Sequence, residues 1–408
     1  MTSRTVFPGA AAAVALLLVL TGCTPETTAP SPSPLERRDL ELSVGALLPS
    51  TGTLAAFGPA AQAAIDLAVL DINNADSGIT VDSVSADSGD ATTDTVVASA
   101  TALIDGGASV IVGPISDNVS RKVLAQIVGA GVVQISPGNT STDFTRSDDS
   151  GLYWRTAPSC VLEGTAMGNQ IAADDVTTLG VIYQTGFCEP GLPEALGAAF
   201  TRAGGTVVSE QAYAAGATDL TAQVAAVAAE NPDAVVVVGG GAPAAVPGLA
   251  AAEFTGPDLY FIGLGISDHS ADIPAGTITG STASLPGLDI SSLDDFTDRL
   301  LDINPALTDF SYAAESYDAV VLAALAALAA NSTEGVDIAE HLQEVSGGSG
   351  EGEKATDFAT AAETVLAGGV VDYDGPSGEI TFDAKGDPQG AVIGMYRYGA
   401  DNTFARID

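Results

Sequence analysis

Residues 42–72 read LSVGALLPSTGTLAAFGPAAQAAIDLAVLDI, and the reading of this stretch decides the fold. Its apolar start, Leu42–Leu48, ends at Pro49-Ser50-Thr51-Gly52, a cluster of turn formers. Pro59 then follows Gly58 at a first helical position, where its missing N–H is no loss. Beyond it Ala61, Ala64, Ile65, Ala68, Val69 and Ile72 recur at helical spacing on one face. A short buried strand therefore hands over to an amphipathic helix.

Outward from there the handover repeats. VDSVSA leads into a helical pattern over Thr92–Ile104, SVIVG into Asn118–Val128, and then comes GVVQIS. After YWRTAP the alternation starts afresh: helix Val161–Ala173, strand LGVIY, helix Leu192–Ala203, strand TVVSE, helix Leu220–Ala229, strands AVVVVG and LYFIG. Apolar strands alternating with helices predict parallel sheets covered on both faces, so the fold class is α/β with two doubly wound, Rossmann-like lobes joined by a hinge. Later segments are mostly helical, Ser311–Ala330 being the longest, and the tail GEITFD, AVIGMYRY, FARID is β-rich. These late segments complete the two sheets, and SGGSGEGEK at 346–354 reads as a flexible loop. In such sheets ligands sit at the carboxyl ends of the strands, among loops and helix N-termini that present backbone N–H groups.

Upstream, Arg4 precedes an uncharged apolar run, Ala10–Leu20, which ends in Leu20-Thr21-Gly22-Cys23. That is the layout of a secretory signal, and the run is shorter than the roughly 18–20 residues of a membrane-spanning helix. Leu-Thr-Gly-Cys resembles the bacterial lipoprotein box, which implies lipidation of Cys23; an ordinary secreted protein is the alternative. Residues 24–39, TPETTAPSPSPLERRD, read as an extended stalk. A diacylglyceryl group supplies two chains, enough for stable anchoring at the outer face of the cytoplasmic membrane.

The chain has 52 acidic and 13 basic residues, a net charge of −39. Nucleic acid and anionic lipid surfaces are poor partners for such a field. The acidic, lysine-poor composition suits solubility in salt and is read as adaptation to the medium. With Cys23 set aside, Cys160 and Cys188 remain, an even number in an oxidising compartment. They either form one disulfide or are two separately buried thiols.

Taken in order, GALLPSTGTLAAFGPAAQAAIDLAVLDIN, VIVGPIS, ISPGNTSTDFT, YWRTAPS, AGATDLTAQVAAV, SYDAVVLA and DGPSGEITFDAKGDPQGA resemble the type I periplasmic binding proteins of the leucine/isoleucine/valine-binding family, the branched-chain amino acid ABC transporter substrate-binding proteins. The resemblance spans essentially the whole mature domain. It implies a hinged two-lobe clamp that closes on a small polar or carboxylated solute, an amino acid or related compound, and presents it to the permease of an ABC importer. It also implies no catalysis, no cofactor and a monomer. The boundaries expected are a signal peptide at 1–23, a linker at 24–39, one lobe from 40–156 plus about 285–370, and the other from 157–284 plus about 371–408.

Carried over residue by residue, the resemblance places an aromatic ligand contact at Phe57. The carboxylate-binding loop falls at Ser136-Pro137-Gly138-Asn139-Thr140, with Gly138, Asn139 and Thr140 as contacts through amides and a hydroxyl; Thr140 as a turn cap is the alternative. Ser116 stands where the first Ser of the family's Gly-Pro-x-Ser element belongs. Asp117 replaces the carboxylate-binding hydroxyl, and there it either faces the solute or caps the next helix. In the second lobe Cys188 takes the place of the family's cleft Tyr, with Phe187 beside it. Cys160 falls at a polar cleft position, so a Cys160–Cys188 disulfide would shape the pocket wall. Gly265, in the loop after LYFIG, stands where the ammonium-binding acid is expected, and Asp268 and Asp117 are the acids that could substitute for it, though neither matches the motif.

Other chemistry finds no support. Gly239-x-Gly241-x-x-Ala244 imitates a dinucleotide loop, but Pro243 interrupts it. The chain's histidines, His269 and His341, have no nucleophile elbow near them. Asp87-Ser88-Gly89-Asp90 lacks metal-loop spacing and reads as a turn. A sensing module that signals to a membrane receptor is the alternative function on the same fold.

Overall fold

The computed structural model describes residues 39–188, 190–263, 269–287, 293–350, 352–390 and 392–407. The signal sequence, the stalk, Cys23, Gly265 and Asp268 lie outside the described residues.

Alternation along the chain is observed as read. β1 (Leu40–Leu48), α1 (Gly58–Asn74), β2 (Ile79–Asp87), α2 (Thr95–Asp105), β3 (Val110–Val112), α3 (Asp117–Gly129), β4 (Val133–Ser136), α4 (Thr142–Thr145) and β5 (Tyr153–Arg155) form the first lobe. Its strands are all parallel, in the order β2-β1-β3-β4-β5. The order reverses between β1 and β3, the kind of crevice in which open α/β sheets take their ligands. Gly58 is needed at the start of α1, because a Cβ there would meet Pro49 O at 2.0 Å.

The chain then crosses into the second lobe: α5 (Cys160–Ala173), β6 (Thr178–Gln184), α6 (Gly191–Arg202), β7 (Thr206–Tyr213), α7 (Thr221–Ala228), β8 (Ala234–Val238), α8 (Ala242–Ala251), β9 (Leu259–Ile262) and β10 (Thr282–Pro286). It returns to the first lobe with α9 (Asp294–Ile303), α10 (Ala313–Ala330), α11 (Gly335–Val345), β11 (Glu353–Ala355), α12 (Phe358–Leu366), β12 (Val371–Gly375) and β13 (Gly378–Glu379). Finally β14 (Ile393–Tyr398) and β15 (Phe404–Arg406) complete the second sheet, in the order β15-β14-β10-β9-β8-β6-β7. Both late strands run antiparallel to their neighbours.

One core unites β1–β5 and α1 with α9–α12 and with Val371, Tyr373, Ile380 and Phe382. The hairpin β12–β13 packs on α10 through Tyr373, and β14, from Ile393, pairs in the second sheet. Apart from the partly exposed Glu315, α10 is buried from Ala313 to Leu328, so this apolar 18-residue helix is the central post of the first lobe's core. At the two ends of the 346–354 stretch, Ser346 bridges to Asp372 and Glu353–Ala355 pairs with β12. The glycines after β8 serve packing, since a side chain at Gly241 would strike Tyr213 Oη at 2.6 Å while that hydroxyl donates to Val238 O at 2.8 Å.

Candidate solute-binding cleft

The carboxyl ends of β1, β3 and β4 carry the first rim of the cleft, and its shape follows from one buried arginine. Arg155, at the end of β5, is wholly buried. Its Nε donates to Asp387 Oδ1 at 2.7 Å, its Nη1 to the carbonyls of Asn139 (3.2 Å) and Ser141 (2.9 Å), and its Nη2 to Thr145 Oγ1 (3.0 Å). Thr145 Oγ1 in turn donates to Asp387 Oδ2 at 2.6 Å. A rigid guanidinium fork with all its partners satisfied thus holds the carbonyls of the 137–141 loop to one side.

The amides of that loop point the other way, and the protein's own side chains fill them. Ser136 Oγ donates to Pro114 O (2.8 Å) and accepts the N–H groups of Gly138 (3.3 Å) and Asn139 (3.0 Å). Asp117 Oδ1 accepts those of Thr140 (3.1 Å) and Ser141 (3.4 Å). Asp117 is the first residue of α3, and Ser116, its N-cap, makes no side-chain capping bond. Asp117 therefore gives its Oδ1 to the loop amides, while its Oδ2 has no hydrogen-bond partner among the described residues. Burial raises its pKa, and the Ser141 amide, Arg121 and the Thr140 amide act in the opposite direction. A carboxylate sits in the anion nest, and it belongs to the chain.

Asn139 is fully buried; its Oδ1 accepts from Tyr153 Oη at 3.0 Å and its Nδ2 donates to Ile115 O at 3.4 Å, so it braces the loop instead of facing the cleft. Gly138 is needed for close approach, because a Cβ there would lie 2.5 Å from Ile115 Cγ2 and 3.1 Å from Tyr312 Cε1. The Thr140 amide is occupied while its hydroxyl has no hydrogen-bond partner among the described residues.

Phe57 lies beside the same loop. Its ring meets Tyr312 edge-on with centroids 5.5 Å apart, and Tyr312 reaches Gly138. Tyr312 immediately precedes α10 in a left-handed conformation, φ 64°. Burial raises its pKa, followed by the negative charges of Glu315 and Asp117. Glu315, in the first turn of α10, has its pKa pushed up to about 7 by burial, and its buried Oε2 has no hydrogen-bond partner. A side chain at Gly287, just past β10 of the second lobe, would stand 3.6 Å from Glu315 Oε1.

The second lobe closes onto this rim through its cysteines. Cys160 and Cys188 form a disulfide, with Cα atoms 6.4 Å apart. Cys160 N–H donates to Thr140 O at 3.1 Å, and Cys188 Sγ lies 3.4 Å from the same oxygen. Phe187 covers Gly263, where a Cβ would strike its ring at 2.3 Å. Below it Glu163 is buried, accepting Ser284 Oγ at 3.0 Å and the Gly263 amide; burial raises its pKa to about 7. Phe57, Tyr312, the 138–140 loop, the disulfide and Phe187 thus form one continuous line of contacts across both lobes.

A profile of the periplasmic-binding-protein family matches residues 41–391. The chain belongs to that family. It resembles the chemotactic signal transduction system substrate-binding protein BasB of Halobacterium salinarum, 28% identical over 361 residues that cover 85% of this chain and 84% of BasB. Among solved structures, a putative branched-chain amino acid ABC transporter protein from Rhodospirillum rubrum superposes with TM-score 0.66 at 21% identity, covering 90% of this chain and 100% of its own. The leucine-binding protein LivK of Thermotoga maritima gives TM-score 0.65 at 18% identity, covering 90% and 98%. The solute-binding protein of an ABC transporter from R. palustris, solved in complex with benzoate, gives 0.59 at 19%, covering 90% and 95%. The family's members are substrate-binding proteins and not enzymes, so this chain is a solute-binding protein of the type I periplasmic-binding fold.

Within that family frame, Arg155, Tyr312 and Glu315 went unread in the sequence. Glu315 and Asp318 are the charged residues in the otherwise apolar run 311–330, and that interruption was the available signal. Asp318 proves structural: it accepts Tyr373 Oη at 2.8 Å and both the amide and the hydroxyl of Ser377.

Proposed function

We infer that the chain captures a small polar solute between its lobes and delivers it to the permease subunits of an ABC importer, as an extracytoplasmic protein tethered by lipid on Cys23. The observation that carries this reading is the convergence of strand-end loops from both lobes on Thr140. A solute that touches Phe57 and Tyr312 on one side and the Cys188 loop on the other favours the closed arrangement, so closure reports occupancy. Neither lobe alone offers that enclosure. Leu20-Thr21-Gly22-Cys23 and the Pro-rich stalk support the tether, which keeps a non-catalytic clamp concentrated beside its membrane partner.

A thermal-shift screen across amino acids, amides, polyamines and aromatic acids tests the reading. A true ligand at 100-fold its Kd adds about 2.7 kcal/mol to stability. Failure of every class to stabilise the fold would remove the importer reading. Mass spectrometry of the mature N-terminus checks the tether, with a diacylglyceryl adduct on Cys23 expected.

The resemblance to a chemotaxis protein supports a second reading, in which the occupied clamp signals to a membrane receptor. The two part on uptake. Deleting the chain abolishes accumulation of its solute in the first case and leaves it intact in the second.

A further inference from the structure

We propose that the solute held in the cleft presents a positively charged group, an organic amine or quaternary ammonium, to Glu315, Tyr312 and Phe57, and that it places no carboxylate on the loop after β4. This rests on the clamp reading above and specifies its ligand.

The loop after β4 is closed to an incoming anion. The amides of Gly138 and Asn139 are held by Ser136, and those of Thr140 and Ser141 by Asp117. A solute carboxylate would have to displace Asp117 and then lie beside it.

Glu315 is in the opposite condition. Its Oε2 is buried and unpartnered, a state that disfavours the charged form unless a cation arrives. Gly287, on the second-lobe side, faces Oε1: a Cβ there would stand 3.6 Å from it. Beside it stand the Phe57 and Tyr312 rings, whose faces attract cations.

The charge around the cleft points the same way. By sequence the strand-end loops 49–57, 88–94, 113–116, 137–141, 156–159, 185–190, 214–220, 239–241, 263–270 and 287–293 contain no lysine or arginine. Arginines nearby are engaged: Arg155 with Asp387, Arg121 with Asp143, and Arg406 with the Gly287 carbonyl and the Tyr396 ring. A net charge of −39 adds attraction for cations at long range.

Calorimetric titration with matched probes tests the proposal: choline against its neutral isostere 3,3-dimethylbutan-1-ol, benzylamine against benzoate, putrescine against succinate, and leucine. The expected result is binding of at least one cation at least tenfold tighter than its partner. Glu315→Gln should weaken that cation by roughly ten- to hundredfold, with unfolding of the ligand-free variant confirming an intact fold. Binding of leucine, benzoate or succinate with equal or greater affinity overturns the cation proposal and leaves the clamp reading standing. Unchanged cation affinity in Glu315→Gln overturns the assignment to this residue. Failure of every probe to bind, together with a flat amino-acid screen, removes both.

Discussion

Asp117 and Glu315 are carboxylates on the same lobe, both drawn out of water at the rim of one cleft, yet their surroundings differ. Asp117 sits where loop amides converge and accepts two of them, with Arg121 and Arg155 close enough to favour its charge. Glu315 sits at the mouth of an apolar helix with one oxygen unmatched. The comparison separates two uses of buried charge. A carboxylate anchored by loop amides fixes the shape of that loop, whereas one whose buried oxygen has no donor leaves a demand that a ligand can meet.

The largest effect should come from the brace behind Asp117. Arg155→Met leaves Asp387 and two carbonyls without their donor, and breaking a buried pair from one side costs about 3–5 kcal/mol. Urea unfolding measures it; a loss under about 1 kcal/mol would mean that the loop holds its shape without Arg155. Next is the second-lobe side of the rim. The Cys160→Ala, Cys188→Ala double variant should lose roughly 3–4 kcal/mol in the chain-entropy model for a 28-residue separation.

Glu315→Gln sharpens the comparison through pH. In the folded chain burial holds Glu315, Glu163 and Asp318 at about 7, while the unfolded chain loses these protons near 4. Between those values the folded state binds more protons, so stability falls as pH rises toward 7 and stays low above it. Asp233 and Asp90, held near 2 chiefly by the Thr177 and Thr92 side chains, act oppositely and withdraw stability as pH drops below 4. Tm should therefore peak between about pH 4 and 5. Glu315→Gln should flatten the descent above that peak and stabilise the ligand-free protein at pH 8 by about 3 kcal/mol. An unchanged pH profile would mean that Glu315 is not desolvated.

Smallest is Thr140→Ala. With the Thr140 amide engaged by Asp117, only its hydroxyl remains for a solute, and its removal should weaken binding by about 1 kcal/mol. Unchanged calorimetric affinity would take Thr140 out of the contact set.

Much of the fold was legible in the sequence because its signals are local. The Gly58-Pro59 start and the 61–72 stripe marked α1 directly, and four consecutive valines before Gly239 marked β8. The site was less legible, because its residues act through distant partners. Asp117 could be seen to break the family pattern, but its place in the nest depends on amides 23 and 24 residues away. Arg155 read as a strand residue until the 383–388 segment, more than two hundred positions later, folded back on it. Tyr373 is hard to place for a related reason: it belongs to α10's core, and its strand-like sequence says nothing of which sheet it joins.

The most direct test measures closure. Spin labels at the exposed positions Ala91 and Ala215, one on each lobe, in a Cys23→Ser background, report the interlobe distance by pulsed electron resonance. Saturation with the best-binding cation should shorten the mean distance and narrow its distribution. A distance unchanged by a compound that binds would contradict a clamp that closes on its solute.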